Sequence, residues 1–115
     1  MSAIQPLSES DQGLPIVLGT TRALVHHIPP RYIDLIRGLL IADVSAMDVA
    51  VTIEWESESG SVIRDYIVPK TVGVAAPPTR EFRLCLGGPV NLYLHADTAD
   101  AVLIMGTVSR EAFYG

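Results

Sequence analysis

Residues 48–56 constrain the fold more than any other stretch of this chain. They run Asp-Val-Ala-Val-Thr-Ile-Glu-Trp-Glu, so the apolar side chains share one parity and mostly polar ones take the other. Successive side chains of a β-strand point to opposite faces, and the alternation therefore predicts a strand with one dry face and one wet face. A helix would scatter the same residues around its circumference. The predicted core residues of this strand are Val49, Val51, Ile53 and Trp55.

Further strand signals recur along the chain, separated by turn signals about every ten residues. They predict strands at residues 20–28, 31–44, 62–68, 81–86, 90–95 and 101–108, with a short strand at 14–18. The inward-facing residues of two later strands are Phe82, Leu84, Leu92 and Leu94. A series of seven or eight short strands predicts an all-β protein, an antiparallel β-sandwich of the jelly-roll or immunoglobulin kind. The Cys-Trp-Cys spacing of immunoglobulin domains is missing, so we predict a jelly-roll-like sandwich.

The segment 31–44 is apolar on both parities, which sets it apart from the other predicted strands. One parity holds Ile33, Leu35, Leu39 and Ile41, and the other holds Tyr32, Ile36, Leu40 and Ala42. A strand that is apolar on both faces is covered on both sides, by its own domain or by a neighbour. A helix over residues 32–42 is the competing interpretation. Gly38 and the β-branched isoleucines favour the strand.

The N-terminal residues 1–18 are predicted to form an extended arm, and residues 19–115 the sandwich domain. Residues 1–13 are rich in Ser, Gln, Asp and Glu and lack periodicity, which is typical of a segment outside the core. The apolar residues 14–18 fit a short strand or a clip on a sheet edge. The arm is either a floppy terminus or a segment that becomes ordered on a partner.

Composition excludes several classes of protein. The net charge is −5 and the basic residues are spread singly, which argues against a nucleic-acid partner. No apolar run reaches the ~18 residues that cross a bilayer, and no signal peptide is recognisable, so no membrane partner is expected. The lone Cys85 cannot form an internal disulfide.

Residues that could carry chemistry are few and scattered. His26 and His27 are adjacent and should point to opposite faces of a strand, and His95 and Asp97 lie far away in sequence. This spacing lacks the pattern of a zinc site, and no serine stands in a nucleophile elbow. We therefore predict no catalytic residues, no metal site, no cofactor and no enzyme activity.

Several segments together resemble a known class of protein. Thr-Thr-Arg-Ala-Leu-Val at 20–25 leads into a proline corner, Ile-Pro-Pro-Arg at 28–31, and then into the apolar strand at 33–43. Later, Leu-Gly-Gly-Pro-Val-Asn-Leu-Tyr-Leu-His-Ala at 86–96 precedes a closing apolar strand at 101–108. This order resembles small virion proteins of tailed bacteriophages. Three positions depart from the pattern: Arg31-Tyr32 replaces a glycine-lysine corner, Asp43 stands where an asparagine is common, and Pro89 replaces the aspartate after the glycine.

The resemblance implies a virion structural protein, namely a capsid decoration or cement protein that stabilises the major capsid shell. It implies a homo-oligomer, a homotrimer by preference, made in the host cytoplasm and located on the capsid surface. Its partners would be other copies of itself and the major capsid protein. Under this hypothesis the arm docks on the shell or on a neighbouring subunit. The expected interface residues are Leu14, Ile16, Leu18, Tyr32, Ile36 and Leu40.

Two alternatives stay open. A carbohydrate- or receptor-binding module of a tail or fibre would need an exposed aromatic platform, for which Tyr66, Tyr93 and Trp55 are candidates. A neck or tail ring component would differ from a decoration protein only in its location and copy number.

Overall fold

The computed structural model describes residues 3–45, 48–57, 59–68 and 79–113. Within these ranges the secondary structure consists of β-strands without a helix, which confirms the all-β prediction. Residues 32–42 accordingly belong to a strand and not to the competing helix. The strands are β1 (Ala3–Pro6), β2 (Ile16–Val17), β3 (Ala23–Ile28), β4 (Tyr32–Asp43), β5 (Val49–Ser57), β6 (Gly60–Val68), β7 (Thr79–Gly87), β8 (Val90–Ala96) and β9 (Val102–Ala112).

The strands form two antiparallel sheets. One sheet has the order β1-β9-β4-β7, and β2 also pairs with β9, so that this sheet has five strands. The other has four strands in the order β3-β8-β5-β6. Residues 69–79, whose prolines and glycine predict a long crossover loop between two strands, lie outside the described residues except for Thr79. This architecture is that of a β-sandwich.

The inner faces of the two sheets supply the hydrophobic core. Val49, Val51 and Ile53 of β5 are at most 1% exposed, and Leu92 and Leu94 of β8 are fully buried. These positions follow the alternation of the sequence, because each strand turns one parity toward the opposite sheet. Burying a side chain of this size contributes about 1.5–3 kcal/mol.

The core is less tightly covered toward β6 and β7. Trp55, Phe82 and Leu84 are only partly buried and pack against the main cluster. The rings of Tyr66 and Phe82 lie 4.3 Å apart between centroids, and this contact joins the outermost strand of one sheet to that of the other. The three predicted core residues therefore lie at the margin of the core.

A β-bulge at Gly38 changes which side chains of β4 face inward. The pairing of β4 shifts between Ile36 and Leu39 on the β7 side and between Arg37 and Leu40 on the β9 side. Gly38 has a φ of 60°, which glycine adopts at little cost. Ile36 is inward before the bulge and Leu39 is inward after it. The expectation that Tyr32, Ile36 and Leu40 share one face is thus wrong: Tyr32 and Ile36 precede the bulge and keep one parity, whereas Leu40 follows it and points to the opposite, outer side.

The N-terminal segment packs on the sandwich, in place of the expected arm outside the core. β1 pairs with β9 from Ala3↔Arg110 to Pro6↔Thr107. Leu7 and Leu18 are each 1% exposed and belong to the main hydrophobic cluster. The polar residues 1–13 gave no sign of this docking, because Leu7 is the buried leucine that anchors them. Residues 14–18 were expected to form a short strand or a clip on a sheet edge, and β2, which pairs with β9, lies within them.

Candidate functional site

The outer face of the five-stranded sheet carries a group of apolar side chains that we call the outer apolar face. Its members are Val17, Leu40, Ala42, Leu103 and Met105. Directly opposed residues on neighbouring strands share a face, and the register pairs Val17 and Ala42 with Leu103, and Leu40 with Met105. Val17 is 53% exposed and Met105 43% exposed. The sheet is therefore apolar on both sides around its central strands β4 and β9.

An open groove of about 550 Å³ adjoins the outer apolar face beside Leu40 and Met105. Its walls include Ile4 and Pro6 of β1, and Ile4 is the most exposed large apolar residue among those that the structure describes. Arg37 lines the same groove. The carboxylate of Glu81 lies beside Gly38, where an added Cβ would be 3.2 Å from its Oε1. Arg37 and Glu81 place charges of opposite sign at the rim of this apolar surface.

The residues predicted for the interface are found in different environments. Leu14 is 58% exposed, and Leu40 is half-buried on the outer apolar face. Tyr32 is partly exposed at the other end of β4, and Ile16 packs against the core. Leu18 and Ile36 are fully enclosed in the core. A contact with another subunit through Leu18 or Ile36 is therefore excluded unless the sandwich opens.

A second feature is a buried polar network that joins β3, β4 and β9. Asp34 on β4 is fully buried. Its Oδ2 lies 2.7 Å from Nε2 of His26, and Arg110 on β9 donates from Nε to Oδ1 and from Nη2 to Oδ2, both at 2.7 Å. The planar guanidinium thus binds both oxygens of the carboxylate, which is the strongest form of this pair. Asp34 and Arg110 are directly opposed in the sheet, so the ladder itself brings them together.

His26 owes its burial to a bulge in β3. The pairing of β3 with β8 shifts between Leu24 and His26, and as a result Val25 and His26 are both buried. His27 is exposed, which agrees with the expectation that the two histidines point to opposite faces. The backbone N–H of Ser8 donates to Nδ1 of His26 at 2.9 Å, so the N-terminal segment is part of the network.

Burial and pairing have opposite effects on the titration of these groups. Burial lowers the pKa of His26 below its ordinary 6.5, and the hydrogen bond to Asp34 only partly offsets it. Burial alone would raise the pKa of Asp34, but hydrogen bonds from Arg110 and His26 outweigh it and hold this pKa below the ordinary 3.8. The hydrogen bond to Asp34 raises the pKa of Arg110. Near neutral pH the network therefore contains an ionised Asp34, a charged Arg110 and a neutral His26.

An open groove at one end of the sandwich bears on the carbohydrate-binding alternative. It has a volume of about 610 Å³ and is lined by Trp55, by Ser57 and Ser61, and by the β7–β8 turn. The rings of the other two candidate aromatics, Tyr93 and Tyr66, already contact other side chains. The guanidinium of Arg22 lies 3.5 Å from the ring centroid of Tyr93, and the ring of Tyr66 packs on Phe82.

The positions of the possible metal ligands and of the single thiol bear on metal binding and thiol chemistry. Among the described residues, no three His, Cys, Asp or Glu side chains are grouped so that they could hold a metal ion. Asp97 Oδ1 accepts a hydrogen bond from the backbone N–H of Ala50, which gives this carboxylate a role in the turn. Cys85 is an exposed free thiol on β7. The residues that the structure describes also contain no helix with the length and hydropathy of a membrane span.

The sequence pattern does not predict the buried pair of Asp34 and Arg110. The one available signal was a carboxylate inside the otherwise apolar segment 31–44, because a buried acid requires a cationic or hydrogen-bonding partner. The sequence did not indicate which of the dispersed arginines would be that partner. It lies 76 residues away.

Comparisons with known proteins give a limited result. No family model matches the sequence, and no curated protein matches it. The solved structures that are similar include two that are each described as a pentameric capsid protein isolated from metagenomic phage sequences. One has 17% identity and a TM-score of 0.44 over 86% of this chain and 62% of the other; the second has 17% identity and a TM-score of 0.45 over 86% and 60%. This chain thus spans less than two thirds of theirs. With TM-scores below 0.5, this likeness carries no argument about function or assembly.

Proposed function

We propose that this chain is a structural protein of a tailed-phage virion and that its copies associate through the outer apolar face. The observation that carries the proposal is that the central strands β4 and β9 are apolar on both sides. Ile41 and Ile104 face the core, while Leu40 and Met105 face outward. Water opposes the exposure of a contiguous apolar surface, and a second apolar surface placed against it removes this cost.

Another copy of the chain is the occupant that best fits the outer apolar face. Arg37 and Glu81 flank this face with opposite charges. In a head-to-tail contact around a rotation axis, Arg37 of one copy can approach Glu81 of the next, and this pairing selects the orientation of the contact. Oligomers of identical subunits are usually closed and symmetric, so we expect a ring around a rotation axis. A specific contact would bury about 1,600 Å² in total.

The role that we propose within the virion is decoration or cementing of the capsid surface. The segment order described above resembles small phage virion proteins, for which this role is expected. We propose a homotrimer that binds the major capsid protein, is made in the host cytoplasm and has neither a nucleic acid nor a membrane as its partner. Several linked copies would bind a repetitive shell with avidity. A neck or tail ring is the alternative location, and a structural role requires no catalytic residue in either place.

A matched pair of variants tests the proposed association. Met105→Lys places a charge on the outer apolar face, whereas Ile63→Lys places one on β6 of the other sheet, where Ile63 is similarly exposed at 54%. We expect Met105→Lys to abolish both self-association, measured by light scattering, and co-sedimentation with capsid shells of the encoding phage. Ile63→Lys should retain both. A wild-type chain that stays monomeric when concentrated and does not sediment with shells would overturn the proposal.

A carbohydrate-binding function remains a second candidate because Trp55 lines the groove at the end of the sandwich. An indole beside serine hydroxyls can stack on a sugar ring while the hydroxyls bind its polar groups. Trp55 is the single tryptophan of the chain, so its fluorescence reports directly on the groove. A saturable change in emission on titration with bacterial surface glycans would support this function. An unchanged spectrum would remove the candidate residue from it.

A further inference from the structure

The segment after β1 is attached to β3 by a compact set of hydrogen bonds. The N–H of Ser8 donates to His26 Nδ1 at 2.9 Å, the N–H of His27 donates to Ser8 Oγ at 2.8 Å, and the N–H of Glu9 donates to the carbonyl of Val25 at 3.3 Å. The neighbouring Leu7 is buried in the core. Of these three bonds, the one from Ser8 to His26 involves a titratable side chain, and that side chain is fully buried.

The partners of His26 determine its protonation state. Nδ1 accepts the N–H of Ser8, so it carries no proton. Nε2 lies 2.7 Å from the ionised Asp34, which can only accept, so Nε2 must carry the proton. The ring is therefore neutral with its hydrogen on Nε2. A second proton could bind only at Nδ1. There it would face the N–H of Ser8, and the hydrogen bond between the two groups would be lost.

Protonation would also disturb the charge balance around the ring. The ionised Asp34 of β4 and the cationic Arg110 of β9 already compensate each other through two hydrogen bonds. The remaining titratable neighbour, His27 on β3, points away and hydrogen-bonds Asn91. The N-terminal segment faces the ring with a backbone N–H and offers no compensating carboxylate in these contacts. A protonated His26 would thus add one uncompensated buried charge.

We propose that His26 is an acid-sensitive latch, which holds the segment around Ser8 on β3 while the ring is neutral and releases it when the ring is protonated. The lowered pKa of His26 agrees with this arrangement, since the folded state resists the proton that release would admit. The released segment carries β1 and β2, which cover one edge of β9. Acid would therefore open that edge of the sheet while the two-sheet core stays folded.

Hydrogen exchange of the Ser8 amide tests the latch on the full chain. Below pH 6.5, the ordinary pKa of histidine, the opening constant should rise up to tenfold for each unit of pH decrease, until the pKa of the folded state is reached. Exchange is followed by NMR and corrected for the intrinsic pH dependence of amide exchange. The ¹⁵N shifts of His26 at neutral pH should show the proton on Nε2. A proton on Nδ1, or a pH-independent opening constant at Ser8, would overturn the proposal.

Variants separate the latch from general acid destabilisation. His26→Gln should abolish the acid-dependent opening at Ser8, whereas the control His27→Gln should retain it. Ser8→Pro removes the N–H donor to His26 and the Oγ acceptor of His27 but keeps the His26 ring, so the Glu9 amide, which donates to Val25, should exchange fast already at pH 7.5 and gain no further acid step. An acid step that persists in Ser8→Pro, or one lost in His27→Gln, would contradict the latch. The Ser8→Pro result decides the matter if His26→Gln fails to fold.

Discussion

Replacing Asp34 with alanine tests how much the buried polar network contributes to stability. The carboxylate accepts three hydrogen bonds of 2.7 Å from His26 and Arg110. Its loss leaves Nε2–H of His26 without an acceptor in a fully buried position, which costs about 1–3 kcal/mol. Arg110 also loses its partner, but its side chain is 20% exposed and water can solvate it in part, so we assign it only about 1 kcal/mol. Together these effects lower the free energy of unfolding by about 3 kcal/mol.

Urea unfolding at a fixed protein concentration measures this loss. With a slope of about 1.5 kcal/mol per molar urea, the midpoint of Asp34→Ala should fall by roughly 2 M. Asp65→Ala is the matched control because Asp65 is exposed on β6. The free energy of unfolding of this variant should differ from that of the wild type by less than about 0.5 kcal/mol. If Asp34→Ala shifts the midpoint no more than Asp65→Ala, the network does not stabilise the fold and the reasoning fails.

Three further perturbations test other parts of the account. Leu7→Ala should cost about 3 kcal/mol because this side chain is buried in the core, whereas Leu14→Ala, at an exposed position, should be nearly neutral; equal urea midpoints would mean that the N-terminal segment is not docked. Gly38→Ala should cost about 1 kcal/mol because of its φ of 60°, and Gly19→Ala, with open space around it, should cost less; equal losses of stability in thermal unfolding would mean that the bulge is absent. The pKa of His26 is lowered in the folded state, so its contribution to stability is complete above pH 6.5 and declines as pH falls, by up to ~1.4 kcal/mol per unit. Unfolding curves between pH 7.5 and 5 should show this decline in the wild type and a shallower one in His26→Gln.

The strands and most of the core were predictable because their physical cause is local. Val49, Val51, Ile53, Leu92 and Leu94 all lie where alternation places them, since a strand that faces one partner sheet must turn one parity inward. Such periodicity requires no knowledge of distant residues. It therefore transfers directly from sequence to structure.

Periodicity failed where the backbone departed from regular pairing. The bulge at Gly38 reverses the parity of β4, so that Ile36 faces the core and Leu40 faces outward, although regular alternation would place both on one face. The glycine within an apolar strand was a usable signal for it, since isolated strand glycines often mark bulges. The bulge in β3 that buries His26 next to Val25 had no comparable signal.

The candidate site was less predictable because it depends on tertiary contacts. Leu40 was expected at an interface and does lie on the outer apolar face, but Val17, Leu103 and Met105 join it only through the pairing of three strands. The partnership of Asp34 with Arg110 likewise arises from the register of β4 and β9. A single sequence does not specify which strands become neighbours.

Sedimentation velocity of the wild-type chain over a wide concentration range tests the central claim most directly, namely that copies of this chain associate with one another. The account predicts a concentration-dependent shift from the 12.4 kDa single chain to a closed assembly, with three copies as the proposed number. An assembly of five copies would support the association and would show that the proposed number of three is wrong. A particle of 12.4 kDa at every concentration would contradict the claim.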